Sequence, residues 1–103
     1  MSTSIGTYFF SMEEVYEQLQ FVIDRIKDIR TQKSMSQLEL SFKANMSQSF
    51  LASVEKGKKQ PSVLTLLRIA NALDVSAKNF FPERKNTSKE DIKDNIISLL
   101  RSL

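Results

Sequence analysis

The chain has no cysteine and no histidine, and only two glycines and two prolines in 103 residues. Without cysteine there are no disulfides and no thiolate chemistry, and redox compartment is left open. Without histidine the commonest metal ligand and the commonest general base near neutral pH are missing. The carboxylates show no DxDxD or paired-acid spacing for a hard cation. No catalytic residue, metal site or cofactor is therefore expected, and the chain does not read as an enzyme. Long apolar runs are missing too. None exceeds three or four residues, far short of the roughly 20 that a membrane helix needs. The start, MSTSIGTYFF, has no basic leader. A cytoplasmic protein with no membrane partner is the expectation.

What is there is an ordinary soluble balance, 41% apolar and 26% charged, with the length of one domain. Net charge is +3, and its distribution is more informative than its size. Residues 1–20 hold three acids and no base, residues 21–82 hold ten bases against five acids, and residues 83–103 hold five against four. Excess cation in the middle of a chain is where a polyanion would be met.

The apolar period is helical throughout. Ser11 with Glu14 makes a capping box, and Val15, Leu19, Val22, Ile23, Ile26 and Ile29 follow at three- and four-residue spacing to about Lys33. Nothing in the sequence decides whether the first half of this stretch is a separate helix. Ser36 with Glu39 opens a second helix over 37–44, with Leu38, Leu40, Phe42 and Ala44 expected inward and Asn45 ending it. Ser47 caps a third over 48–56, closed by Gly57. Pro61-Ser62 starts a fourth, lined by Val63, Leu66, Leu67, Ile69, Ala70 and Leu73 and ended at Asp74. Ser76 caps a short fifth, which Phe81-Pro82 stops. After a polar connection, Ile92, Ile96, Leu99, Leu100 and Leu103 stripe a C-terminal helix. TYFF near the start is a short strand or an apolar arm.

Two helices of about eight residues joined by about three cannot be stable alone, so tertiary packing must hold them. On the second of these two helices Leu51, Val54 and Phe50 pack inward. Gln48, Ser49, Ala52 and Ser53 are left outward. Gln48 carries the donor and acceptor that grip adenine N7 and N6, and serines serve either role at a base edge. A Gln/Ser face equally describes a solvated helix surface. The run KGKK that follows places cations where phosphates would lie.

These residues carry a resemblance. Ile26 to Arg30, Ser36-Gln37 with Leu40-Ser41, Val54-Glu55-Lys56-Gly57, and Pro61-Ser62 with Thr65-Leu66, Ile69-Ala70 and Leu73 match in register the motifs of the Cro/C1-type helix-turn-helix domain, or XRE family. The resemblance covers residues 22–81. It implies an all-α fold, a five-helix lambda-repressor-like helix-turn-helix domain with an additional C-terminal helix. The divisions are an N-terminal arm and helix extension over 1–21, the helix-turn-helix domain over 22–82, and a linker with C-terminal helix over 83–103.

The resemblance further implies base contacts from Gln48, Ser49 and Ser53, and phosphate contacts from Gln37, Lys56, Lys58 and Ser62. Gln37 would also support the first residue of the reading helix. Arg30 and Glu55 would pair. Ser34, Asn45 and Asp74 stand where the family usually has glycine, and Ser34 raises a different exit from the first helix. The functional expectation is a dimeric, sequence-specific transcriptional regulator on a short palindrome of double-stranded DNA. Its homodimer interface is expected at Ile92, Ile96, Leu99, Leu100 and Leu103, each helix against its symmetry mate. The other candidate surface is the Tyr8–Phe10 arm with Val15 and Leu19. The alternative function is an antitoxin that binds both a toxin partner and operator DNA.

Overall fold

The computed structural model describes residues 11–83 and 96–102. Helix α1 runs Met12–Gln32, α2 Gln37–Lys43, α3 Gln48–Glu55 and α4 Val63–Leu73; a 3-10 turn covers Ala77–Phe80. Residues 96–101 are helical as well, and no strand occurs among the described residues. Tyr8–Phe10, Ile92 and Leu103 lie outside the described residues.

Local chemistry sets the four helix starts. Ser11, Ser36, Ser47 and Ser62 each hold an extended N-cap conformation. Their hydroxyls accept from the amides of Glu14, Glu39, Phe50 and Thr65 at 3.0–3.2 Å. Each cap satisfies one donor that the first turn leaves without an intrahelical partner. The carboxylate half of the second capping box goes elsewhere, since Glu39 turns to Lys43 Nζ at 3.3 Å. Ser76 occupies the cap position of the 3-10 turn without a side-chain bond. The amide it would serve, that of Asn79, already donates to the Ser76 carbonyl at 3.0 Å.

The helix ends follow one pattern. Ser34, Asn45, Gly57 and Asp74 all have φ between 55° and 76°. Behind each, the next residue's amide reaches back five positions: Met35 to Arg30, Met46 to Ser41, Lys58 to Ser53 and Val75 to Ala70, at 2.9–3.0 Å. This is the left-handed C-terminal closure that usually employs glycine. Ser34 thus uses the family's ordinary exit, contrary to the expectation of a different one. Serine has neither the freedom of glycine nor the local tolerance of asparagine and aspartate. Ser34→Gly is expected to stabilise the fold by about 0.5–1 kcal/mol, the left-handed penalty less glycine's extra chain entropy. Urea midpoints of the two proteins at equal m-value check it.

The core gathers Val22, Ile26 and Ile29 of α1, Leu40 and Ala44 of α2, Leu51 of α3, Leu66, Ile69, Ala70 and Leu73 of α4, and Phe80. Phe80 is the largest fully buried side chain and seats the 3-10 turn. Helix α1 is continuous from Met12, and its first buried residue is Val22. Two inward expectations for α2 are corrected, because Leu38 is 61% and Phe42 84% exposed. At 100° per residue both lie about 200° from the buried Leu40, so a seven-residue helix cannot turn all three inward. Small Ser41 and Ala44 complete the inner face instead, with Ser41 Oγ donating to the Leu38 carbonyl at 2.8 Å. On α4, Val63 and Leu67 are also exposed rather than lining the core. The row Leu66, Ile69, Ala70 and Leu73 already fills that face. Leu67 falls on the flank beside Leu64, and Val63 lies a turn before the core begins.

Candidate nucleic-acid interface

Helix α3 is held from beneath and behind. Leu51 and Val54 are fully buried, and Phe50 is half-buried. Behind them Glu55 receives a bidentate clasp: Arg30 Nε donates to Oε2 at 2.8 Å and Arg30 Nη2 to Oε1 at 2.9 Å. Arg30 Nη1 donates to the Met35 carbonyl at 2.9 Å, and Gln37 Nε2 donates to Glu55 Oε1 at 3.0 Å. The side chains of Arg30 and Glu55 are only 13% and 3% exposed. The expected pair is therefore formed, and the planar guanidinium fork fits the carboxylate on both oxygens.

A carboxylate in the last turn of a helix faces the negative end of the macrodipole, so Glu55 needs its cation. The result is that α1, the start of α2 and the end of α3 are tied at one buried point. Gln37 is placed differently from the expectation that it supports the first residue of α3. Its amide bonds Glu55 at the helix's far end. Its partner is 18 residues away in sequence, a contact that local spacing does not reveal.

With α3 fixed in this way, its other face looks outward. Gln48 and Ser49 are exposed in the first turn, and Ala52 and Ser53 are half-buried one turn on. Ser49 Oγ lies 3.3 Å from Ser47 Oγ, which is itself the cap. Lys56, Lys58 and Lys59 are all exposed at the helix end, and the amides of both Lys58 and Lys59 donate to the Ser53 carbonyl. Ser62, also exposed, caps α4 and lies 3.0 Å from Thr65 Oγ1. Of the expected site residues, Gln48, Ser49, Ser53, Lys56, Lys58 and Ser62 share this outward stretch, whereas Gln37 is engaged within the fold.

One feature was missed from sequence. At the ends of α1, α2 and α4 the residue after the left-handed position is Met35, Met46 or Val75, each partly buried against the core. At the end of α3 that place belongs to Lys58. Three closures are anchored inward by an apolar side chain, and the fourth presents an ammonium to solvent. The signal is readable in Ser-Met, Asn-Met and Asp-Val against Gly-Lys. From Lys56 to Leu73 the chain has no carboxylate at all, and Glu55 is neutralised by its partner. The segment that follows α3 is thus cationic in its own sequence, with the side chain of Gln20, itself bonded to Asp24, approaching Gly57 from α1. Among the described residues no group of side chains is suited to a metal ion, and no helix is long and apolar enough to cross a membrane.

Comparisons with known proteins agree with this geometry. The family described as "Helix-turn-helix" matches residues 26–79. The immunity repressor protein of Bacillus phage phi105 is 35% identical over 71 residues, which is 69% of this chain but 49% of that repressor. Among solved structures, the restriction-modification controller protein C.AhdI from Aeromonas hydrophila is similar with a TM-score of 0.61 and 32% identity, covering 64% of this chain and 100% of that one. The N-terminal DNA binding domain of SinR from Bacillus subtilis gives a TM-score of 0.58 at 32% identity over 65% of this chain and 99% of that domain. On the matched motifs, the similarity of fold and these relatives, the chain belongs to the Cro/C1-type (XRE) helix-turn-helix family of DNA-binding domains.

Proposed function

We propose that the protein is a sequence-specific transcriptional regulator that reads a short palindromic operator as a homodimer. The observation that carries this reading is the division of α3 into two faces. Leu51, Val54 and the clasped Glu55 lock one face to the body. Gln48, Ser49 and Ser53 stand on the other, and three exposed lysines follow directly. Such a helix lies in the major groove with its first turn towards base edges, while the cations meet the backbone. Gln48, Ser49 and Ser53 contact bases; Lys56, Lys58 and Ser62 contact phosphates. Gln37 acts on the DNA through Glu55, by fixing the reading helix.

A single reading helix touches too few base pairs to select one site in a genome, so two copies are needed. The dimer is built by the C-terminal helix, whose Ile96, Leu99 and Leu100 are exposed in the single chain. Titration of operator and random duplexes over a series of salt concentrations tests the DNA reading. Lys58→Ala is expected to weaken both duplexes alike and to reduce the salt slope by about one, since one phosphate contact is lost. An unchanged slope would remove Lys58 from the phosphate set.

A further inference from the structure

Among the apolar surfaces left uncovered in the described residues, two lie outside the helix-turn-helix core, one at each end of the described chain. Helix α1 begins ten residues before its first buried side chain, so about 15 Å of helix projects ahead of the core. Along this projection Met12 and Tyr16 are exposed and Val15 and Leu19 half-buried, on the same stripe that lower down becomes Ile23 and Ile26. The second surface is Ile96, Leu99 and Leu100 of the C-terminal helix. The five exposed residues of the two surfaces are uncovered to between 53% and 68%. Charge differs in sign over the described parts of the two helices. Residues 11–20 carry Glu13, Glu14 and Glu17 and no cation, whereas residues 96–102 carry Arg101 and no carboxylate.

Resting on the homodimer reading, we infer that the C-terminal helix of one copy packs on the projecting part of α1 of a second copy, and the reverse. Area favours this exchange over pairing of the two C-terminal helices. Among the described residues, each exchanged contact covers roughly 500 Å² of exposed side chain, and twofold symmetry makes two of them, reaching the ~1,000 Å² that a specific interface needs. Helix-on-helix pairing of Ile96, Leu99 and Leu100 alone reaches only roughly 700 Å².

The absence of cysteine makes the test direct. Tyr16→Cys and Leu99→Cys are each made in the full chain, both at exposed positions, and mildly oxidised alone and as a mixture. The mixture is expected to form a 16–99 disulfide between chains at least tenfold faster than either variant links to itself. Rapid self-linking of Leu99→Cys with little 16–99 product would overturn the exchange in favour of symmetric helix pairing. Absence of any link would overturn it as well. So would a doubly substituted chain that closes only its own 16–99 bond. Light scattering of the unsubstituted chain separates the two levels. A monomer removes the homodimer reading itself, and a dimer without the 16–99 link removes only the exchange.

Discussion

Alanine in place of Glu55 is expected to lower stability by about 3–5 kcal/mol, the cost of leaving one member of a buried ion pair without the other. Glu55 accepts three hydrogen bonds, two from Arg30 and one from Gln37. Its removal strands a guanidinium that is largely shielded from water and left with only the Met35 carbonyl as acceptor. The lost methylenes add little, so the size of the effect is electrostatic in origin. Glu55→Gln should fall between the two, because an amide still accepts from one arm of the guanidinium. Replacing both partners, Arg30→Met with Glu55→Leu, should recover most of the loss, since apolar side chains of similar volume need no counter-charge. Urea unfolding at constant m-value checks all three. A cost below about 1 kcal/mol for Glu55→Ala would mean that water screens the pair as it does at a surface.

Gln48→Ala is expected to do the opposite: to leave the fold intact and cost about 1–3 kcal/mol of binding on the cognate operator, with little change on random DNA. The side chain is exposed in the first turn of α3, and alanine is the better helix former there. Loss of a bidentate base contact therefore appears in binding alone. Competition titration at one fixed salt concentration measures it. Equal loss on both duplexes would remove Gln48 from the readout and leave it a backbone contact. The two substitutions, seven residues apart on one helix, thus separate what holds the helix from what the helix reads.

The sequence made some of this legible and hid the rest for physical reasons. Serine caps are local chemistry, so Ser11, Ser36, Ser47 and Ser62 could be placed from neighbours alone. Long amphipathic stretches fix their own phase, which is why the α1 core stripe was readable. Helix α2 is too short to do so. Leu40 lies on one side of it and Leu38 with Phe42 on the other, and it is the side carrying the small Ser41 and Ala44 that is buried. The continuity of α1 through Gln18-Leu19-Gln20 was also undecided, because polar residues there neither break a helix nor mark one as buried. The Arg30–Glu55 pair came from the family resemblance. The amide of Gln37 joining it did not, since only the packed body brings the two ends of α2 and α3 together. Ser34 was the plainest surprise: tertiary packing of Met35 holds a serine in a glycine's conformation.

Whether α3 reads a short operator in two symmetric copies is tested by selection of binding sites by the full chain from a pool of random duplexes. An enriched pool is expected with two inverted copies of one half-site, their centres about 10–10.5 base pairs apart. Gln48→Ala is expected to relax preference at one symmetric pair of positions and nowhere else. A pool no different from the input, or a single asymmetric site, would contradict that reading.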